Sequence, residues 1–227
     1  CTPTGVSKGF MTPEYICKVD AKGNLIQATG NFKPSSEIKM HMRVYEKRPD
    51  VGAVVHAHPS FATSFAIAGI PLTQPIMPGA VIALGCVPIA KYGTPGSYEI
   101  PDAVEEYLPY FDQVLLESHG ALTWSTDLLS AYHKMESVEF YAELLYKAKM
   151  LGGPKEFDKV EIEKLYEVRR KMGLPGKHPA NLCPNAKEGK ESCHSCGGSC
   201  TCGGEGNADA ELVSEITKKV MAQLGIK

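Results

Sequence analysis

The sequence predicts an α/β fold in which a central, mainly antiparallel sheet is covered by helices. Three observations lead there. Short apolar runs such as "VGAVVHAH" and "DQVLLESHG" have the length and composition of strands, whereas longer stretches repeat their apolar residues at helical spacing. The two kinds are interspersed without the strict βαβ alternation of a parallel sheet. With 227 residues, 43% hydrophobic and 22% charged, the chain can also bury one substantial core.

The elements follow in order. "YICKVD" and "LIQATG" flank "AKGN", whose Gly23 and Asn24 mark the turn of a hairpin. In "KPSSEIKMHMRVYEKRPD", Pro34 and paired serines open a helix, Ile38, Met42 and Tyr45 share one face, and Pro49 stops it. "VGAVVHAH" is a strand, "PSFATSFAIAG" a short helix ended by Gly69, "VIALGCVPIA" another strand and "DQVLLESHG" a third. The longest helix covers about residues 125–151 and closes at Gly152-Gly153-Pro154; a further helix ends near Met172.

Composition divides the chain into a domain over residues 1–172, a linker over 173–207 and a terminal helix over 208–227. The linker is rich in Gly, Pro, Ser, Asn and Cys, so it cannot bury enough apolar surface to offset the entropy of ordering. In "ADAELVSEITKKVMAQLG", Leu212, Val213, Ile216, Val220 and Leu224 form one apolar stripe. The opening "CTPTGVSKGF" reads as the end of a strand entering a turn, and an N-terminal part is expected to precede it.

A formal charge of −2 gives no electrostatic case for nucleic acid, and no apolar run approaches the roughly eighteen residues that span a bilayer. Of eight cysteines, Cys1, Cys17 and Cys86 are scattered, while Cys183, Cys193, Cys196, Cys200 and Cys202 crowd together. No signal-peptide pattern is visible, so a reducing, cytoplasmic compartment is expected. Cys193, Cys196, Cys200 and Cys202 offer four thiolates to zinc or an iron–sulfur cluster, with His194 beside them. Their spacing matches no standard paired knuckle, and a flexible, oxidisable linker is the other reading.

The chemistry starts at "VVHAHPS". Residues two apart on a strand share a face, so His56 and His58 aim at one point. A histidine pair at a sheet rim can be merely polar; a third, His119 in "LLESHGAL", lies where another strand ends at a glycine. Three neutral imidazoles suit a catalytic zinc ion, because they leave a coordination position open for substrate. In "PSSE", Ser35 or Ser36 can cap the following helix, whose first-turn N–H groups form a phosphate-sized anion site; a plain N-cap accounts for the same residues.

"TPTG", "KPSSE", "HAHP" and "SHG", in that order, resemble the class II aldolase/adducin family, typified by L-fuculose-phosphate aldolase and including ribulose-phosphate 4-epimerases. The resemblance covers about residues 1–153 and implies that family's three-layer fold. It further implies that His56, His58 and His119 hold a divalent metal, usually zinc, that Glu37 is the catalytic acid/base, and that Thr4, Gly5, Ser35 and Ser36 bind the substrate phosphate. The implied reaction is retro-aldol cleavage of a phosphorylated ketose, L-fuculose or L-rhamnulose 1-phosphate, to dihydroxyacetone phosphate and lactaldehyde, in a homotetramer. Rival activities within the resemblance are a sugar-phosphate 4-epimerase and a dehydratase; an adducin-like binding module without chemistry is a third.

Two departures stand out. The family's Gly-Asn-containing phosphate segment upstream of "TPTG" is not in this chain, and "LTQPIMPGA" lacks the tyrosine with which bacterial relatives protonate the aldehyde; Tyr92 in "AKYGTPGS" could replace it. His41, His133 and His178 match no motif and are expected to be surface or structural residues. The terminal helix looks like the encapsulation peptides by which microcompartment cargo enzymes bind shell or cargo proteins. Fucose- and rhamnose-degrading microcompartments contain such an aldolase, so that location inside a bacterial cell is expected.

Overall fold

The computed structural model describes residues 1–178. The cysteine cluster and the terminal helix therefore lie outside the described residues. In chain order the elements are β1 (Lys18–Val19), β2 (Leu25–Gln27), α1 (Ile38–Lys47), β3 (Ala53–Ala57), α2 (Ser60–Ile67), α3 (Pro78–Ala83), β4 (Ile89–Ala90), α4 (Glu99–Glu105), β5 (Gln113–Leu116), β6 (Gly120–Ser125), α5 (Leu128–Met150) and α6 (Lys159–Met172). Strands β1 and β2 form the expected hairpin. The main sheet has the order β3-β6-β5-β4; β3–β6 and β5–β6 are antiparallel, and only β4–β5 is parallel.

Three layers result. On one face of the sheet, Val54, Val114, Leu116, Leu122 and Trp124 pack with Met40 and Val44 of α1 and with Ile100 and Val104 of α4. On the other, Leu115 and Ala121 pack with Ala62, Phe65 and Ala66 of α2 and with Met135, Val138, Tyr141 and Leu145 of α5. This is the alternation that the period-two geometry of a strand dictates when both faces are covered.

Three sequence expectations need correction. "VIALGCVPIA" is not one strand: Val81–Ala83 belong to α3, Gly85 breaks the chain with a φ of 73°, and only Ile89 and Ala90 pair as β4. "GALTWS", assigned no strand, is β6, the strand between β3 and β5. In α1 the buried residues are Met40 and Val44, whereas Ile38 and Met42 lie against Gly23 in the hairpin turn. That helix thus carries two apolar stripes, one for the sheet and one for the hairpin.

At the end of the sheet where β5 begins, Asp112 is 2% exposed and holds a network of charges together. Its Oδ1 accepts from Arg48 Nη2 at 2.9 Å and its Oδ2 from Lys134 Nζ at 3.0 Å. The Arg48 guanidinium also donates to Asp50 through Nε and Nη2, at 2.8 and 2.7 Å, and through Nη1 to the carbonyls of Leu108 and Phe111, at 2.9 and 3.1 Å. All five of its donors are thereby satisfied. Asp112 Oδ2 accepts in addition from the Lys177 N–H at 2.9 Å, so residues just past α6 are held on the domain. Gly176 makes that possible: a Cβ there would lie 1.9 Å from Asp112 Oδ2. His178 then inserts into the core, 2% exposed, with Nε2 donating to the Val81 carbonyl at 2.8 Å and its ring edge-on to Tyr166. Composition assigns residues 173–178 to the linker, but this contact set packs them with the domain.

Removing Asp112 would leave Arg48 and Lys134 as buried cations without their shared anion. Asp112→Ala is expected to destabilise the fold by about 3–5 kcal/mol, read from urea unfolding. His178 supplies a pH test. Burial is the main reason its pKa is pushed from 6.5 down to about 4, against the hydrogen bond to Val81 that favours the proton. The unfolded chain therefore takes up a proton that the folded state refuses, and stability falls as pH drops from 6.5 toward 4. Between pH 7 and pH 5 the protein is expected to lose about 2 kcal/mol more than a His178→Gln variant, measured as the difference in unfolding free energy.

Candidate metal centre

The main sheet brings the three histidines to one rim. His56 lies in β3 on the face of Val54, and His58 follows the last residue of that strand. His119 sits in the turn between β5 and β6, whose register pairs Leu116 with Gly120 and leaves three residues to close it. Ser118 adopts φ 56°, the only positive φ of a non-glycine residue among the described residues. The next register pairs, Ala57 with Ala121 and His56 with Leu122, place this turn beside the end of β3.

Each of the three imidazoles can offer one nitrogen to a common point, with the three atoms within 4.8 Å of one another. The ring centroids are all 4.9 Å apart. His56 Nδ1 is 2.9 Å from the Ala121 carbonyl, which can only accept, so Nδ1 carries the proton and Nε2 keeps its lone pair. That lone pair faces His58 Nε2 at 3.1 Å. Tetrahedral nitrogen ligands about 2.1 Å from a zinc ion stand roughly 3.4 Å apart, so the pair is already at ligand spacing. His119 Nδ1 is buried without a hydrogen-bond partner. The donor set fits a divalent cation that prefers imidazole.

The electrostatics agree with that use. Burial is the main cause that holds His56 down to about pKa 3, and the neighbouring His119 and His58 push the same way against the Ala121 hydrogen bond. Burial also lowers His119, while the negative charge of Glu37 pulls it back up. The Glu37 carboxylate therefore acts on the histidine cluster through space. Neutral imidazole is the form that binds metal.

Glu37 stands at the N-cap of α1, with φ −80° and ψ 1°, and makes no side-chain cap bond. The serines are therefore not the cap residues the sequence suggested. Ser35 Oγ instead accepts from the Glu37 N–H at 3.3 Å, and Ser36 Oγ lies 3.5 Å from Glu37 Oε1. The carboxylate is left without a helix-capping role, at the end of α1 from which its charge reaches His119.

"TPTG" and "KPSSE" do come together. The Ser35 N–H donates to Thr2 O and the Thr4 N–H to Lys33 O, both at 3.0 Å, around an antiparallel bridge between Pro3 and Pro34. The bridge thus sets Thr2 to Thr4 alongside Lys33 to Ser35, just ahead of α1. Gly5 has φ 71°, a conformation that favours glycine. Lys39, in the first turn of α1, donates to Gly96 O at 2.7 Å and lies 4.5 Å over the Tyr98 ring, which holds the loop after β4 beside Ser36. Tyr92 in that loop is exposed, and its N–H donates to Glu117 Oε2 at 2.8 Å.

One supporting residue escaped the sequence reading, and another does more than mark the turn it was read as. Glu139 of α5 accepts from the N–H groups of Phe61 and Ala62, at 2.9 and 2.8 Å, and so anchors the start of α2 just after His58-Pro59. Its sequence signal is only one acidic residue on a long helix. Gly120 has a stricter role. A Cβ there would lie 2.6 Å from both Ala57 O and His58 Cδ2. The glycine of "SHG" leaves room for the His58 ring.

A three-layer domain whose sheet rim gathers three imidazoles able to hold a metal ion, with a carboxylate whose charge reaches them, is the arrangement to set against known proteins. The chain belongs to the family described as the class II aldolase and adducin N-terminal domain, which matches residues 1–146. It is 36% identical over 145 residues to an L-fuculose phosphate aldolase of Methanococcus maripaludis, covering 64% of this chain and 77% of that protein. A 3-oxo-tetronate 4-phosphate decarboxylase of Haemophilus influenzae is 31% identical over 149 residues, covering 64% and 70%. A solved structure of an L-fuculose 1-phosphate aldolase superposes with a TM-score of 0.66 at 31% identity, covering 76% of this chain and 79% of the other.

Gly120→Ala should displace the His58 ring while leaving the buried core unchanged in composition. Affinity for Zn²⁺ or Co²⁺ is expected to fall about 10- to 100-fold, measured by titrating metal-free protein with a competing chelator.

Proposed function

We propose that this chain is a divalent-metal-dependent aldolase that cleaves a deoxyketose 1-phosphate, L-fuculose 1-phosphate or L-rhamnulose 1-phosphate, to dihydroxyacetone phosphate and lactaldehyde. The observation that carries the reading is the convergence of His56, His58 and His119 beside Glu37, a carboxylate with no helix-capping role. His56, His58 and His119 would hold the metal, zinc by the all-imidazole donor set, and the ion would act as a Lewis acid that stabilises negative charge developing on the substrate oxygens. No lysine is required for a Schiff base.

The chain's own residues have the remaining tasks. The Ala121 carbonyl fixes the His56 tautomer, so that the lone pair on Nε2 faces the centre. Glu37 carries the proton to or from the carbon where the C3–C4 bond breaks, close enough to the histidines for its charge to be felt at His119. Thr4, Gly5, Ser35 and Ser36 bind the phosphate and so fix the distance from the anchored end of the sugar to the bond that breaks. The two aldolase relatives support this substrate class, and the relative named as a decarboxylase supports a second reading in which carbon dioxide leaves instead of an aldehyde.

The apolar stripe of residues 208–227 behind a polar linker supports docking to microcompartment shell or cargo proteins, and the family resemblance supports a homotetramer.

Product analysis tests the reaction. Release of dihydroxyacetone phosphate and lactaldehyde from either sugar phosphate is expected to vanish on chelation, to return with Zn²⁺, and to fall at least 100-fold in Glu37→Gln. Metal-loaded protein that yields carbon dioxide from a 3-oxo acid phosphate, or an epimerised phosphoketose without free aldehyde, would replace the aldolase reading.

A further inference from the structure

We propose that Cys1 and Cys17 form an intramolecular disulfide when the protein meets a small-molecule disulfide oxidant, stapling the segment that carries Thr4 and Gly5 to the chain entering the β1–β2 hairpin. The two residues are direct antiparallel partners. The Cys17 N–H donates to Cys1 O at 2.9 Å, and Cys1 N donates to Cys17 O at 2.7 Å. A pair that exchanges both backbone bonds has its Cα atoms about 5.5 Å apart, within the roughly 4.4–6.8 Å that a disulfide spans; its Cβ atoms lie near the far end of about 4.5–5.5 Å, so the lightly packed segment from Cys1 must draw in by roughly 1 Å to reach disulfide geometry. Side chains of directly opposed residues also leave the backbone on the same side.

Both thiols are free, and their exposure differs in a useful way. Cys1 is partly exposed and can meet an oxidant; Cys17 is 1% exposed and waits behind it. The Cys1 thiolate attacks a disulfide RSSR, forming a mixed disulfide and releasing RS⁻. Cys17 then loses its proton to solvent, and its thiolate attacks the Cys1 sulfur and expels the second RS⁻. Two protein thiols are oxidised by two electrons, and RSSR is reduced to two RSH once both RS⁻ are protonated.

The intervening chain gives the bond a structural consequence. The 3₁₀ turns Lys8–Phe10 and Pro13–Tyr15 bury no residue, so few packing contacts restrain this stretch. Beyond Cys1, Thr2 and Thr4 pair with Ser35 and Lys33. A link at Cys1 would therefore fasten the segment from the side opposite Ser35. The Cys1–Cys17 pairing is the same whichever sugar phosphate, or whichever reaction, the site serves.

The test treats native full-length protein with glutathione disulfide, denatures it in iodoacetamide, digests it with trypsin and maps the peptides by mass spectrometry. The expected product joins the peptide containing Cys1 to the peptide Gly9–Lys18, about 2 Da lighter than their sum and absent after dithiothreitol. Cys1→Ser and Cys17→Ser should each abolish it. The unfolding midpoint of the wild type should rise on oxidation by roughly 5 °C, and that of Cys1→Ser should not. The proposal is overturned if Cys1 ends as a glutathione adduct with Cys17 alkylated, or if Cys1 links instead to Cys86 or to a cysteine beyond residue 178.

Discussion

The antiparallel pairing of β3 with β6 is the constraint on which everything at the rim depends. It sets Ala57 against Ala121 and His56 against Leu122, and β6 in turn holds β5 through the tight turn that displays His119. Two segments more than sixty residues apart thus deliver their imidazoles to one place through backbone bonds alone. A one-residue slip of β3 would turn His56 to the α5 side and Val55 to the α1 side, breaking the core and the cluster together. Site geometry and fold stability are therefore protected by the same ladder.

The sequence revealed the site better than the sheet that bears it. His56 and His58 are legible because a period of two puts both rings of "HAH" on one face at a strand end, and "SHG" marks a turn by its glycine. Strand β6 was harder to recognise. It is buried on both faces, so "GALTWS" shows no polar alternation, and it directly follows a turn and precedes a long helix whose periodicity extends toward it. In "VIALGCVPIA" the difficulty was reversed: a continuous apolar run suits a buried strand or a buried helix, and only Gly85, with its positive φ, separates the two. Met40 and Val44 were passed over because α1 has a second apolar stripe of equal strength. The serines were assigned to the cap by residue type, whereas the chain places Glu37 there.

The two ends of the sheet divide the work. At the Asp112 end, carboxylate and guanidinium groups are buried and nearly every donor has an acceptor, which makes that end stiff and costly to alter. At the histidine end the polar groups are less fully paired: His119 Nδ1 has no partner, and Ser118 holds an unfavourable φ. Such a rim persists because the opposite end and the packed faces supply the stability it lacks. Glu139 shows the same economy on a smaller scale. Its carboxylate occupies the α2 N-terminus, which would otherwise offer a second anion-binding helix end close to the histidines.

The strap formed by Gly176, Lys177 and His178 has a directional meaning. It is pinned at Asp112, just before β5, whereas His119 follows the far end of that strand, and four strand residues extend about 13 Å. Lys177 is therefore held at the end of the domain opposite the histidines, so the strap fastens the fold without touching the imidazoles.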